Sequence, residues 1–229
     1  LSSFEQVPFN PGRAIAKPNV FADNPDPRCP VLLLLDKSAS MSGEPIEQLN
    51  DALQALRDHL RRDSLAAKRA ELAVVSFGPV TADAAFDTVE NFSPPALQAE
   101  GDTPMGRAIE LALQMIEDRK RTYKENGVAY YRPIVMLITD GAPTDDWRQA
   151  SAKIRQGEEA KRLAFFAVGV DGADFGALQK LAVRAPIHLR GLDFKSLFLW
   201  LSASISAVSR STPGGPVALP PVPAGWGEL

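Results

Sequence analysis

Five oxygen-bearing side chains are spaced so that one fold can bring them together. Asp36, Ser38 and Ser40 alternate along Asp36-Lys37-Ser38-Ala39-Ser40, directly after an unbroken apolar run. Thr103 lies in Gly101-Asp102-Thr103-Pro104-Met105-Gly106, and Asp140 in Ile138-Thr139-Asp140-Gly141, again just past an apolar run. Two carboxylates and three hydroxyls form a hard-oxygen donor set. Mg²⁺ takes such a set octahedrally, with one or two carboxylates and several retained waters. Ser38 and Ser40 are two residues apart, so a loop can turn both hydroxyls toward one ion, and an anionic group from a partner could complete the shell. The competing local reading makes Asp36, Ser38 and Ser40 caps of the following helix and Asp140-Gly141 a plain turn. Each piece alone fits that reading. Three pieces in order, each at a strand end or a helix start, favour a shared site.

The elements that would position these residues alternate between strand and helix. Val31–Leu35, Glu71–Phe77, Pro133–Thr139 and Leu163–Val170 are short apolar runs of the kind buried on both faces in parallel sheets. Between and after them, apolar residues recur at helical spacing: Ile46, Leu49, Leu53, Leu56 and Leu60, then Met105, Ile109, Ala112, Leu113 and Ile116, and finally Phe194, Leu197, Phe198, Leu201, Ile205 and Val208. Gly78-Pro79 predicts a tight turn into a return strand over Val80–Val89, antiparallel at the sheet edge. Asp145 or Asp146 is expected to cap a helix reaching about Arg162. A short helix is expected near 175–183 and a short strand near 187–189. The pattern predicts an α/β fold: a three-layer, Rossmann-like, mostly parallel sheet with one antiparallel edge strand and helices on both faces. In such sheets ligands bind outside the carboxyl ends of the strands, where the strand order reverses. Asp36 and Asp140 end strands that would be neighbours at that point, and Thr103 sits in a loop able to fold over the same crevice.

Composition narrows the chemistry. Of 229 residues one is Cys and two are His, so an internal disulfide framework is excluded and a Cys/His zinc site nearly so. A net charge of −3 gives no footprint for nucleic acid. The basic stretch Arg57 to Arg69 is interleaved with Asp58 and Asp63 and reads as a solvated helix end. No apolar run approaches the ~18 residues of a membrane span, and the first residues lack the pattern of a signal peptide. The expectation is a cytoplasmic protein with no membrane contact. Catalysis has little support: there is no Gly-x-Ser-x-Gly nucleophile elbow and no phosphate-binding Gly-x-x-x-x-Gly-Lys loop. An aspartate nucleophile with Mg²⁺ would use Asp36, but such phosphoryl-transfer enzymes usually carry a second acid two residues on, where this chain has Ser38. Cys29, a lone thiol before the first strand, reads as a packing residue. Trp200 falls off the apolar stripe of the last helix and is expected half-buried at the surface, covering an arm or meeting a partner.

One folded domain, 31–209, is expected between Pro-rich arms at 1–30 and 210–229. The second arm, Pro213-Gly214-Gly215-Pro216 to Pro220-Pro221-Val222-Pro223, has polyproline-II character. It reads as a solvated tail or as a docking motif for an SH3-like partner, though both arms are also expected to pack on the domain or on a neighbour.

Taken together, the motifs resemble the von Willebrand factor A domain family. Its metal-ion-dependent adhesion site is written D-x-S-x-S, then a distant T, then a distant D. Asp36, Ser38, Ser40, Thr103 and Asp140 supply that pattern, and the resemblance spans about residues 30–209. The wording around the motifs, including Cys29-Pro30-Val31-Leu32, is most similar to the bacterial TerY/YegL-like subgroup associated with tellurite-resistance and stress gene clusters. The resemblance implies that Ser38, Ser40 and Thr103 hold a cation directly or through water. Asp36 and Asp140 would do so directly or, more often, through bridging water. The implied ion is Mg²⁺, with Mn²⁺ or Ca²⁺ as alternatives. It further implies a non-catalytic module whose protein partner supplies an Asp or Glu carboxylate to the metal, in a setting that could include assembly with a kinase, phosphatase or ATPase of the same gene cluster. A scaffold with a vacant metal site is the remaining alternative. Asp102 and Asp145 lie close enough in sequence either to support the ligands or to serve ordinary turn and cap roles. Ala39 stands where the family often has glycine, and its small side chain is expected to do little harm.

Overall fold

A computed structural model describes residue 21, residues 24–223 and residue 226. Most of the N-terminal arm, including Pro8, Pro11 and Pro18, lies outside the described residues. The strands are β1 (Cys29–Asp36), β2 (Ala70–Phe77), β3 (Thr81–Thr88), β4 (Ile134–Thr139), β5 (Ala164–Val170) and β6 (Ile187–Leu189). The helices are α1 (Glu44–Arg62), α2 (Ser64–Arg69), α3 (Met105–Glu125), α4 (Arg148–Glu159), α5 (Phe175–Leu181) and α6 (Phe194–Arg210). One six-stranded sheet has the order β3-β2-β1-β4-β5-β6. Every pairing is parallel except β2 with β3 at the edge. The expected three-layer α/β fold is the observed one.

The unbroken apolar strands are explained by the helices that cover them. Successive side chains on a strand face opposite ways, and both faces of β1 are buried. Val31, Leu33 and Leu35 pack into one cluster with α1 and α6, while Leu32 and Leu34 pack into another with α3, α4 and α5. The edge strand β3 has little to cover and reads Thr-Ala-Asp-Ala-Ala-Phe-Asp-Thr, mostly part-exposed. Among the described residues no helix is long and apolar enough to cross a membrane.

Two readings are refined. The short helix α2 has no apolar periodicity to announce it; Asp63 starts it by accepting hydrogen bonds from the Leu65 and Ala66 amides. Of the two expected caps of α4, Asp146 does accept from the Arg148 amide at 3.0 Å at the start of the helix, although the N-cap position itself is Trp147. Asp145 turns to the start of α3 instead.

The ends of the sheet differ in chemistry. At the amino-terminal end, Glu71 is buried and accepts from Arg28 Nε (3.1 Å), Arg119 Nε (2.7 Å) and the Tyr123 hydroxyl. Two guanidiniums on one carboxylate compensate a charge that would otherwise be costly so far from water. Cys29 sits fully buried nearby, and burial first, then the Glu71 charge, pushes its thiol up to about 12. Packing is therefore its role, since only the thiolate is reactive.

At the carboxyl-terminal end the loops approach closely. Gly78 follows β2 with φ +124°, and a methyl group there would lie 2.7 Å from the Glu100 carbonyl oxygen and 2.7 Å from the Ser38 amide nitrogen. Gly101, with φ +69°, abuts Gly78 from the other side. Only residues without a β-carbon let these backbones meet.

This architecture makes two outcomes measurable. Gly78→Ala should destabilise the domain by about 1–3 kcal/mol from its backbone conformation alone, read as a lower denaturation midpoint at unchanged slope. Cys29 should resist thiol-specific reagents in native buffer at pH 8 and react fully only when the chain is unfolded.

Candidate metal centre

The strand order reverses between β1 and β4, which lie side by side while their connections leave in opposite directions. A crevice opens at the carboxyl ends of such a pair. Asp36 is the last residue of β1, and Asp140 directly follows β4. Ser38 and Ser40 lie in the loop between β1 and α1, where Ala39–Met41 form a 3₁₀ turn. Thr103 comes from the loop leading into α3.

Backbone hydrogen bonds sew these three loops together. Glu100 N donates to Lys37 O (2.8 Å) and Ala39 N to Gly101 O (2.9 Å), joining the serine loop to the threonine loop. Thr144 N donates to Thr103 O (2.9 Å), joining the threonine loop to the one carrying Asp140. Loops far apart in sequence are thus joined into one unit.

All five expected residues fall in this crevice. Ser40 Oγ donates to Asp140 Oδ1 (2.8 Å) and lies 3.0 Å from Ser38 Oγ. Asp36 Oδ1 accepts from the Ser38 amide (2.8 Å). A methyl group on Gly141 would lie 3.4 Å from Thr103 Oγ1 and 3.9 Å from Asp36 Oδ2, so Thr103 and Asp36 flank one small space beside Gly141. Asp36, Ser38 and Thr103 are buried, Asp140 half-buried and Ser40 exposed. The donors therefore form a graded funnel, open to solvent at Ser40.

The local capping alternative does not hold. The N-cap of α1 is Gly43, with no side-chain hydrogen bond, so neither serine caps that helix. Asp145 does cap a helix, but a distant one: its Oδ1 accepts from Gly106 N (2.8 Å) and its Oδ2 from Arg107 N (2.9 Å), at the start of α3. It thereby fixes the segment just after Thr103. Asp102 is exposed.

One participant escaped the sequence reading. Thr139 Oγ1 donates to Asp36 Oδ2 (2.5 Å) and accepts from Gly141 N (3.1 Å). The signal lies in the strand register. Leu35 pairs with Ile138 in the parallel register, so the next residues, Asp36 and Thr139, are neighbours.

The electrostatics of the crevice are dominated by its two carboxylates. Burial is the main cause that raises the Asp36 carboxyl above its ordinary value, hydrogen bonds from Ser38 and Thr139 oppose it, and the Asp140 charge adds to it. Among the described residues no lysine or arginine forms an ion pair with Asp36 or Asp140, and Lys37 turns instead to Glu100 at 3.3 Å. Nor do three or more His, Cys, Asp or Glu side chains gather anywhere among the described residues. Any ion here must take hydroxyl oxygens as well as carboxylates. The donor set fits a hard divalent cation, whose ligands are oxygens at octahedral positions partly filled by water.

An open, mostly parallel sheet with hydroxyls and two carboxylates gathered at its switch point places the chain among the three-layer α/β domains. Within that class, a model of the von Willebrand factor type A domain matches residues 31–190, well over half of the chain, and the chain belongs to that family. A search of the curated proteins finds no match. Among solved structures, the chain is similar to proximal thread matrix protein 1 from the mussel byssus, with a TM-score of 0.55 and 16% identity over 85% of this chain and 50% of that one. A further structure of that mussel protein has a zinc-occupied adhesion-site motif and matches at TM-score 0.55 and 15% identity, over 79% of this chain and 48% of that one. The pilus adhesin SpaC from Lactobacillus rhamnosus GG, in its open conformation, matches at TM-score 0.65 and 11% identity, over 79% of this chain and 30% of that one. At such identities the likeness is one of fold. The chain spans about half the length of the mussel protein and under a third of the adhesin.

Two substitutions separate the parts of this site. Asp145→Ala should cost about 1 kcal/mol through loss of the α3 cap, measured by chemical denaturation. Asp36→Asn should act in the opposite direction on metal-free protein. A carboxyl held above its unfolded value favours the folded state below that value, and this contribution is lost as pH rises through the higher folded-state value. The metal-free Asn variant at pH 7 should therefore melt at or above the wild-type temperature, and its advantage should shrink as pH is lowered toward 4.

Proposed function

We propose that this domain is a non-catalytic, cation-dependent protein-binding module. The hydroxyls of Ser38, Ser40 and Thr103 would hold a divalent ion, Mg²⁺ by preference, and Asp36 and Asp140 would hold it directly or through water. When bound, the ion supplies a positively charged, Lewis-acidic point at the sheet edge that a carboxylate from a partner can ligate. Asp36, buried and hydrogen-bonded on both oxygens, orients the serine loop, while the more exposed Ser40 and Asp140 form the rim that a partner's Asp or Glu approaches. The observation that carries the reading is the pairing of two uncompensated carboxylates with three converging hydroxyls at the strand switch point. The zinc-occupied motif of the mussel protein supports a metal in this fold, and the adhesin supports a binding role.

The motif wording, most similar to that of the TerY/YegL-like subgroup, supports a setting. The proposed one is a bacterial stress or tellurite-resistance complex in the cytoplasm, with a kinase, phosphatase or ATPase among its members. Phosphoryl transfer by Asp36 is disfavoured because Ser38 stands two residues on, where enzymes with an aspartate nucleophile usually carry a second acid. A Mg²⁺-dependent phosphatase turnover lost in Asp36→Asn would overturn the non-catalytic assignment.

Titration calorimetry tests the metal reading. Mg²⁺ or Mn²⁺ should give heat with wild type and none with Asp140→Ala. At 100-fold excess over Kd the ion should stabilise the fold by about 2.7 kcal/mol. Absence of heat from wild type with both ions would sink the proposal. A pull-down with and without chelator, using wild type and Thr103→Ala, then tests the binding mode: partners indifferent to both changes would place binding elsewhere on the domain.

A further inference from the structure

The Pro-rich tail is packed against the domain. After α6 the chain reverses through Pro213–Gly215, with Gly215 N donating to Thr212 O at 2.9 Å. It then runs back along α6. Val217 and Leu219 pack against the core while Ala218 between them is exposed, the alternation of an extended chain. Proline locks φ near −65° and holds the residue before it in the extended region. Pro216, Pro220, Pro221 and Pro223 thus pre-set this stretch as polyproline-like.

The tail meets an aromatic surface. Trp200, off the main apolar stripe of α6, is buried rather than half-buried, because the tail covers it. It stands edge-on to Phe166 of β5, with centroids 5.7 Å apart and planes at 78°. Its indole Nε1–H donates to the Pro220 carbonyl at 3.1 Å. Aromatic-lined grooves read polyproline segments because such segments are already ordered and their carbonyls point outward. Beyond the prolines, Trp226 is buried, and its carbonyl accepts from the His188 amide of β6 at 2.8 Å.

We propose that the groove around Trp200 is a polyproline-reading site, occupied in cis by residues 216–223 of this chain. Trp200 is its specificity-determining donor, and Trp226 is the anchor that keeps the ligand in place. The tail is therefore a bound ligand on a tether. A tethered ligand acts at an effective concentration in the millimolar range for a short flexible linker, so a free peptide of equal chemistry competes poorly until the anchor is removed.

The test uses the full chain and a synthetic peptide of residues 214–223, which contains no tryptophan. Binding is followed by calorimetry, with circular dichroism and melting to verify folding. The peptide should bind Trp226→Ser at least tenfold more tightly than wild type, and the double variant Trp226→Ser, Trp200→Phe should lose that gain by calorimetry. Failure of a folded Trp226→Ser to bind millimolar peptide, or equal binding with Phe at position 200, would overturn the proposal. Hydrogen exchange on wild type gives an arm that needs no variant. The His188 amide, covered by the tail, should exchange at least 100-fold faster than the amides of central α6. Joint opening of tail and helix at one rate would show the tail to be part of the core, and the proposal would fail.

Discussion

The carboxyl edge of this domain is organised around a buried carboxylate that has no ion-pair partner among the described residues. Asp36 ends the central strand, has no exposed surface and faces the Asp140 charge. Burying an uncompensated carboxylate is costly, and folding tolerates it here only because each oxygen is given a donor, the Ser38 amide on one side and the Thr139 hydroxyl on the other. Those donors in turn require the loops after β1 and β4 to stand in fixed positions. The bonds from Glu100, Ala39 and Thr144, and the contact between Gly78 and Gly101, supply that rigidity. The loops are thereby tied to one another by backbone as well as side-chain contacts.

The opposite end of the sheet shows how a purely structural solution looks. Glu71 is as deeply buried as Asp36, yet Arg28 and Arg119 both reach it. Phe21 lies under both guanidiniums, each 5.2 Å from its ring centroid, so the chain just before β1 is drawn into the same network. One pole is neutralised by guanidiniums, whereas among the described residues the other holds its carboxylates by hydrogen bonds alone.

Much of this was legible because parallel sheets impose strong patterns. A strand buried on both faces must be apolar throughout, so the core strands announced themselves, and the residues just past a strand's carboxyl end in such a fold must lie at the ligand-binding edge. That logic located all five oxygen donors. It was blind where a side chain serves an element distant in sequence. Asp145 looks like a local cap and in fact caps α3, 39 residues earlier by the Gly106 bond. Thr139 is one more β-branched residue in a strand until the register with β1 is known. Trp200, off the apolar stripe of the last helix, was expected to cover an arm or meet a partner, but the sequence does not say which arm or which of its carbonyls the indole meets.

That tail also bears on how the sheet meets its surroundings. An open sheet has two margins whose unpaired amides and carbonyls invite strands from other molecules. At β3 the margin carries Asp83 and Asp87, and its register with β2 shifts twice. At β6 the strand is only three residues long, and the outward amide of its middle residue is taken by the Trp226 carbonyl. One margin is guarded by charge and irregularity, the other by a length of the chain's own backbone. Shedding the tail as far as Trp226 would bare the amide of His188 at the second margin, the kind of unpaired edge group that invites strands from other molecules.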